Sequence, residues 1–211
     1  IRLIVFDLDG TIVDSKGLYV DTMQDVLKVH SMHFTKYEIS NAMGPKTKQT
    51  IINLTKLEPR KVDQLRDEIN PRVEFGASTL KLCPYAKEVL HKLSKEGYKL
   101  ILMTNSTHKY LEASLKKSRL LKVFDEVLGA EDFLSKETAF HTLFKKYRVK
   151  PDETIYLGDR RSDFNVAKNV GCRIALVKSR SWDKTEISTN KMYHGALIDD
   201  LRGTLKIVTR I

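Results

Sequence analysis

The sequence predicts an α/β fold: a doubly wound, mainly parallel sheet (Rossmann-like) with an inserted all-helical cap domain. Five short apolar segments are mostly continuous rather than alternating, which is typical of parallel strands buried on both faces. From residue 84 onward, segments with helical spacing alternate with these strands, as in a doubly wound sheet. A chain of 211 residues is long enough for one large domain or for a core with a smaller insertion.

The five predicted strands differ in how clearly the sequence marks them. The third is the least regular, because Asp125 and Glu126 interrupt its apolar run. Beyond the fifth, residues 197–208 are expected to form a closing strand and helix, and Trp182 is expected to pack against the core. The five strands are Leu3 to Phe6, Lys99 to Met103, Phe124 to Leu128, Thr154 to Leu157 and Arg173 to Val177.

Four helices are predicted between the later strands. Pro84 occupies the favoured first turn of one helix, and Gly97 ends it. Gly171 ends another, because glycine readily adopts the left-handed conformation that follows a helix. The approximate ranges are 84–96, 109–117, 138–147 and 163–170.

Residues 16–80 interrupt this alternation and are predicted to form the helical cap, leaving 1–15 and 81–211 as the α/β catalytic core. The insertion has helical spacing and no clear strand. Thr35 begins a segment that looks like a capping box. Pro71 is expected to kink or end the last helix of the insertion.

The charge of the chain favours an anionic ligand. The formal net charge is +10, which suits an anionic substrate and would also suit nucleic acid. However, the basic residues are spread along the chain, and no aromatic–basic RNA motif or zinc-finger spacing occurs. We therefore expect a small anionic phosphorylated substrate rather than a nucleic acid.

Other features of the composition bear on the compartment. No segment approaches the roughly 18 to 20 apolar residues of a membrane span, and the N-terminus leads directly into a strand rather than a targeting segment. Cys83 and Cys172 lie far apart without a CxxC partner, which is typical of reduced thiols. We expect a cytoplasmic monomer or homodimer that does not bind membranes.

The most informative segment joins the first strand to a turn. Asp7 and Asp9 follow the apolar strand, and Gly10 and Thr11 come next. Residues two apart in a strand share a face, but a turn can move Asp9 out of that register. Burying two carboxylates together is unfavourable unless a cation or a phosphorylated intermediate is involved. An Asp-Gly pair alone would also fit an ordinary turn, so the other segments decide between turn and site.

Three further segments bring polar groups to the same edge of the sheet, where ligands bind in open α/β folds. Thr104 and Asn105 follow the second strand, Lys136 follows the third, and Asp159 follows the fourth with Asp163 four residues later. Each has an ordinary alternative: a strand-end hydroxyl for Thr104, a solvated helix start for Lys136, and a helix N-cap for Asp163. The agreement between segments indicates a site.

These motifs resemble those of the haloacid dehalogenase-like superfamily, and most closely its phosphoglycolate phosphatase-like branch with a helical cap. Their order and spacing match over essentially the whole chain. The matching segments are Asp7-Leu8-Asp9-Gly10-Thr11, Thr104-Asn105, Lys136 and Gly158-Asp159-Arg160-Arg161-Ser162-Asp163.

The resemblance implies a phosphatase that works through an aspartyl-phosphate. Asp7 would be the nucleophile and Asp9 the general acid and base. Thr104 and Asn105 would bind the phosphoryl oxygens, and Lys136 would balance charge. Gly10 and Thr11 are also assigned to substrate binding.

The resemblance further implies Mg²⁺ as cofactor, because the candidate ligands are hard oxygens and a metal offsets the repulsion between two anions. Asp7 and Asp159 would bind the ion through their side chains, and Asp9 through its backbone carbonyl. Asp163 would bind the ion directly or lie just behind its ligands.

The insertion and the last motif bear on the substrate. Lys46 and Lys48, in the loop that would face the carboxylates, are predicted to contact a second anionic group; a solvated basic turn is the alternative. Arg160-Arg161 stands where the family often has a small hydroxyl residue first, and these side chains either add positive charge or point to solvent. His108 is expected at the surface of its helix, although it lies close enough to Thr104 to reach the site.

The function predicted from these residues is hydrolysis of a phosphoglycolate-like metabolite. One alternative is a phosphomutase of the β-phosphoglucomutase type, and another is a non-catalytic basic binding module on the same fold. A dehalogenase is not expected, because its chemistry does not need an acid at the position of Asp9. A phosphonatase would need Lys46 or Lys48 to form a Schiff base.

Overall fold

The computed structural model describes residues 1–44, 46–178 and 195–208, so the expectation for Trp182 lies outside the described residues. The described strands form one sheet of six and one ribbon of two. In chain order the strands are β1 (Leu3–Phe6), β2 (Val13–Asp14), β3 (Lys81–Leu82), β4 (Lys99–Met103), β5 (Glu126–Leu128), β6 (Thr154–Gly158), β7 (Arg173–Val177) and β8 (Gly195–Ile198).

The large sheet is parallel and has the order β5-β4-β1-β6-β7-β8. The doubly wound fold is therefore confirmed, and the closing strand is present as β8. The third strand is shorter than predicted. It begins at Glu126, because the Asp125 carboxylate accepts hydrogen bonds from the Leu100 amide (2.9 Å) and from Lys99 (2.6 Å) just before it.

The described helices alternate with these strands outside the insertion. Among the described residues of the segment 16–80, the chain forms helices without a strand. In chain order the helices are α1 (Lys16–Val29), α2 (Lys36–Asn41), α3 (Thr47–Thr55), α4 (Pro59–Gly76), α5 (Ala86–Lys95), α6 (His108–Leu115), α7 (Lys136–Tyr147), α8 (Arg161–Val170) and α9 (Arg202–Val208).

Two details of the insertion bear on the predictions. The capping box at Thr35 is confirmed, with Glu38 as its partner. Pro71, however, does not end its helix: α4 continues to Gly76. Pro71 is exposed, whereas Ile69 and Val73 on either side are buried, so packing of the helix outweighs the missing amide hydrogen bond.

Where the insertion leaves and rejoins the core, β2 and β3 form an antiparallel ribbon that pairs Val13 with Leu82 and Asp14 with Lys81. No sequence period indicates this ribbon, because two residues are too few to show one. The ribbon holds both connections of the insertion side by side.

Alternate residues of β1 pack on opposite faces of the sheet. Ile4 and Phe6 belong to one buried cluster that continues into the helices of the insertion. Leu3 and Val5 belong to a second, which includes Phe140 of α7. Both faces are therefore covered, as the continuous apolar strands predicted. Among the described residues, no helix is long and apolar enough to cross a membrane.

Candidate active site

The site lies at the carboxyl ends of three adjacent strands. In the sheet, β1 pairs with β4 on one side and with β6 on the other. Asp7 follows β1, Thr104 follows β4 and Asp159 follows β6, so sheet order alone brings these residues together. This is the position at which the chain reverses its winding direction, where open α/β sheets bind ligands.

Three buried carboxylates form the centre of the site. One oxygen from each of Asp7, Asp159 and Asp163 lies within 4.8 Å of the others. They are 7%, 1% and 3% exposed, respectively. Charges buried this closely need a cation to offset their repulsion.

Two glycines permit two of the carboxylates, Asp159 and Asp163, to approach the backbone. Gly10 has a φ of +77°, and a Cβ added there would lie 2.0 Å from Oδ2 of Asp159. A Cβ added at Gly158 would lie 2.5 Å from Cβ of Asp163. Any larger residue at either position would therefore displace a carboxylate. This packing explains Gly10 without substrate contact, and Gly10 does not line the cavity described below.

Lys136 contacts this cluster through two of its carboxylates. Its Nζ lies 2.6 Å from Oδ1 of Asp7 and 3.1 Å from Oδ1 of Asp163, and it donates a 2.6 Å hydrogen bond to the hydroxyl of Tyr156. The helix α7 begins two residues earlier than predicted because Ser135 caps it, and Lys136 is therefore its first residue. That position directs the ammonium into the site rather than into solvent.

The electrostatics follow from burial and from this lysine. Burial favours the neutral amine, but the carboxylates of Asp163 and Asp7 outweigh it and raise the pKa of Lys136. Burial, together with the carboxylates of Asp163 and Asp159, raises the pKa of Asp7 against the opposing effect of Lys136. Burial also disfavours the charged form of Asp163, yet Lys136 and the Tyr156 hydroxyl hold its pKa below the usual range. One lysine thus leaves the cluster short of positive charge.

The donor set fits a hard divalent cation. Three carboxylates within 4.8 Å of one another supply the oxygen ligands that Mg²⁺ prefers. The N-cap of α8 is Arg160 rather than Asp163. Asp163 is the third residue of this helix, and its carboxylate accepts a hydrogen bond from the Arg160 amide while belonging to the cluster.

Asp9 lies apart from the cluster and is held by two hydroxyls. Ser106 donates a 2.8 Å hydrogen bond to its Oδ2, and Tyr110 donates a 2.7 Å hydrogen bond to its Oδ1. The ring of Tyr110 lies 6.0 Å from that of Tyr19 in α1. The sequence analysis did not predict Ser106, Tyr110 or Tyr19, because no motif spacing connects these residues to Asp9. It also did not predict Tyr156, because no motif spacing connects that residue to Lys136.

The remaining predicted residues of the core are divided between cavity and interior. Thr104 is 2% exposed, and its Oγ1 accepts a hydrogen bond from the Ser106 amide at 3.1 Å. Thr104 and Asn105 both line the cavity. Thr11 does not: it is fully buried, and its hydroxyl has no hydrogen-bond partner among the described residues.

A cavity of about 500 Å³ lies between the sheet edge and the helical insertion. Asp7, Asp9 and Lys136 line it from the core, while Lys46 and Lys48 line it from the insertion. The insertion therefore covers the carboxylates, as expected of a lid. His108 does not line the cavity and instead pairs with Asp132, in keeping with the surface position predicted for it.

The sequence profile of the haloacid dehalogenase-like hydrolases matches residues 4–177. The chain belongs to this family. The resemblance seen in the motifs is thereby confirmed, and the chain is a hydrolase.

Relatives of this haloacid dehalogenase-like hydrolase agree with the match. The chain is 29% identical over 185 residues to a phosphoglycolate phosphatase of Vibrio vulnificus (strain CMCP6), covering 82% of this chain and 81% of that protein. It is 24% identical to a pyrophosphatase of Bacillus mycoides (strain KBAB4), covering 100% and 98%. The crystal structure of a predicted phosphatase from Clostridium acetobutylicum has the same fold, with a TM-score of 0.86 at 19% identity over 100% and 99% of the two chains.

Core and insertion are joined by polar contacts beside the cavity of this hydrolase. Glu74 of α4 accepts a 2.8 Å hydrogen bond from Thr107 and forms a 3.0 Å ion pair with Lys109. Arg160 donates a 2.7 Å hydrogen bond from Nη1 to the backbone carbonyl of Gly44. Arg161, the next residue, is exposed. The two arginines therefore differ in position: Arg160 faces the cavity and Arg161 faces solvent.

Proposed function

We propose that this hydrolase is a Mg²⁺-dependent phosphatase that acts on a small phosphorylated metabolite through an aspartyl-phosphate on Asp7. One observation carries the proposal: Asp7, Asp159, Asp163 and Lys136 converge in a buried cluster beside a covered cavity. Several charges aimed at one point suit phosphoryl transfer, in which positioning and electrostatic stabilisation supply most of the catalysis.

The side chains of Asp7, Asp159 and Asp163 would hold the metal, with the backbone carbonyl of Asp9 as a further ligand. When bound, Mg²⁺ neutralises charge on the phosphoryl oxygens and on the attacking carboxylate. This assignment is supported by the mutual approach of the three carboxylates and by the single lysine that opposes them.

The protein groups divide the reaction into two displacements. In the first, a carboxylate oxygen of Asp7 bonds to phosphorus as the bond from phosphorus to the leaving oxygen breaks, and Asp9 gives that oxygen a proton. In the second, Asp9 takes a proton from a water molecule, whose oxygen bonds to phosphorus as the bond from phosphorus to Asp7 breaks, which releases inorganic phosphate and restores the Asp7 carboxylate. Thr104 and Asn105, at the end of β4, are the proposed partners of the phosphoryl oxygens.

Hydrolysis is favoured over the phosphomutase alternative by the relatives, which are named a phosphoglycolate phosphatase and a pyrophosphatase. Both names describe substrates that carry a second anionic group beside the transferred phosphate. We propose a substrate of that class, with residues 16–80 acting as the cap that closes over it. We also propose that this hydrolase acts in the cytoplasm, because Cys83 and Cys172 are isolated from each other in the sequence, as is typical of reduced thiols.

The test is phosphate release from a panel of phosphorylated metabolites, measured with Mg²⁺ and again after chelation. We expect turnover with Mg²⁺ only, and Asp7→Asn should lower kcat by about 10⁴-fold or more, as removal of a nucleophile does elsewhere. Asp152→Asn, at an exposed position outside the site, is the matched control. Substantial activity in Asp7→Asn, or turnover that chelation leaves intact, would show the assignment to be wrong.

A further inference from the structure

The basic side chains around the cavity differ in how far acidic groups already neutralise them. Lys136 is paired with Asp7 and Asp163 in the core. The cavity-lining cations are Lys46, Lys48, Arg66, Lys136 and Arg160. Those that donate no hydrogen bond to a carboxylate keep more of their donors for a ligand.

Two of these cations are neutralised within the insertion. Lys48 and Arg66 both contact Oδ1 of Asp63, at 2.9 Å and 2.7 Å. Arg66 also pairs with Asp67 at 2.8 Å. Because Lys48 already pairs with the carboxylate of Asp63, we expect it to attract an anionic substrate less strongly than its place in the sequence predicts.

Arg160 is placed differently. Its Nη1 hydrogen-bonds the neutral carbonyl of Gly44, and its Nε is 3.9 Å from Oδ1 of Asp159, at the outer limit of an ion pair. A guanidinium has five N–H donors in a fixed fork, so these contacts leave donors for a further acceptor. Its side chain is 29% exposed and lines the cavity, so a ligand can reach it.

The surroundings of Arg160 contain carboxylates as well as a lysine: against the effect of burial, Asp159, Asp9, Asp7 and Asp163 raise the pKa of its guanidinium. Lys46 lines the same cavity and has no carboxylate within ion-pair distance in the described part of the chain.

The position of Arg160 relates it to the phosphoryl site. It directly follows Asp159, and the cavity of about 500 Å³ has room for more than a phosphoryl group. We propose that Arg160, with Lys46, binds the second anionic group of the substrate, a carboxylate or a second phosphate, and that Lys48 does not. This inference rests on the proposed phosphatase function, and it assigns a specificity role to a residue that departs from the family motif.

The test compares substrates with and without a second anion. Phosphoglycolate and pyrophosphate carry one, whereas ethyl phosphate does not. We expect wild-type kcat/KM to be higher for at least one of the first two than for ethyl phosphate. Arg160→Gln should reduce that preference by about 10- to 100-fold, the range expected when hydrogen bonds to a charged group are lost. Arg160→Lys should restore part of it, because lysine keeps the charge but not the fork.

Arg161→Gln is the matched control, since it removes the same charge from the adjacent, exposed position. It should leave the preference unchanged. The decisive readout is the ratio of kcat/KM for the preferred substrate with a second anion, phosphoglycolate or pyrophosphate, to kcat/KM for ethyl phosphate. A variant that only disturbs folding lowers both values together and leaves this ratio unchanged. Thermal unfolding of each variant shows whether folding is affected.

Several outcomes would overturn the inference. Equal losses on all substrates in Arg160→Gln would make Arg160 only a link between core and insertion. A larger change of preference in Lys48→Gln than in Arg160→Gln would show that Lys48 binds the second anionic group. A wild-type enzyme without any preference would show that neither residue does. If the wild type hydrolyses none of the phosphate esters with Mg²⁺, the proposed function fails as well, which distinguishes the two failures.

Discussion

Tyr110 donates a 2.7 Å hydrogen bond to Oδ1 of Asp9, the proposed general acid and base. Ser106 occupies the other carboxylate oxygen at 2.8 Å, so both oxygens are fixed by hydroxyls of the core. Tyr110 is 2% exposed and packs near Tyr19 of α1. The orientation of Asp9 therefore depends on packing between the core and the insertion, as well as on its own turn.

Replacing Tyr110 by phenylalanine should impair protonation of the leaving group. We expect kcat/KM for ethyl phosphate to fall by about 10-fold or more, since general acid catalysis is worth about 10² to 10⁴. For p-nitrophenyl phosphate kcat/KM should fall less, because that leaving group departs without a proton. Steady-state kinetics with both substrates measures the difference. Tyr37→Phe, at a position 75% exposed, is the control, and equal losses on both substrates would contradict the role.

Gly10→Ala should disrupt the carboxylate cluster, because its Cβ would lie 2.0 Å from Oδ2 of Asp159. Gly97 is the matched control: its φ is also positive, at +84°, but nothing lies within 4 Å of an added Cβ. Gly97→Ala should cost about 1 to 2 kcal/mol of stability from backbone strain alone. Gly10→Ala should cost more and should also weaken Mg²⁺ binding. Thermal unfolding and titration calorimetry with Mg²⁺ test this, and matching behaviour of the two variants would refute it.

The two cysteines should react slowly with thiol reagents in the native protein. Burial, with smaller effects from nearby carboxylates, raises the pKa of Cys83 to about 12, and burial raises that of Cys172 to about 12 as well. Only the thiolate is nucleophilic, so little reactive form exists near neutral pH. A disulfide exchange reagent should label both thiols quickly in denaturant and slowly without it. Rapid labelling of both in the folded protein would rule out this account.

Asp125 should stabilise the fold in a pH-dependent way. Burial opposes its ionisation, but hydrogen bonds from Lys99 and from the Leu100 amide outweigh burial and lower its pKa. The contribution is therefore present above the unfolded pKa of about 3.9 and is lost as pH falls through the lower folded pKa. Asp125→Ala should lower the free energy of unfolding by about 1 to 2 kcal/mol at neutral pH, with a smaller difference in acid.

Urea unfolding at several pH values measures this effect. Asp152→Ala, at an exposed position, should show no comparable pH dependence. A destabilisation by Asp125→Ala that stays constant into acid would mean that packing, rather than the charged hydrogen bonds, carries the effect.

Elements that rest on a long hydrophobic pattern are predicted well from the sequence, and elements that rest on one or two residues are not. The bounds predicted for β1, β4 and β7 agree with the structure, because continuous apolar segments flanked by polar residues are a strong local signal. Of the two outcomes expected at Pro71, the end of the helix is wrong, because a propensity is a local quantity, whereas packing of α4 is not; the kink stays a prediction. The ribbon of β2 and β3 is too short to leave any periodic signal.

The sequence by itself determined the order of the elements and the strand ends that carry Asp7, Thr104 and Asp159, since these follow from hydrophobic period and turn residues. Only the tertiary structure decided which groups satisfy Asp9, and that Asp63 pairs with Lys48 whereas Arg160 donates to the carbonyl of Gly44. The physical reason is distance. Hydrogen bonds and ion pairs form between side chains that are about a hundred residues apart in the chain, as Tyr110 and Asp9 are (a separation of 101), and no local pattern records such a separation.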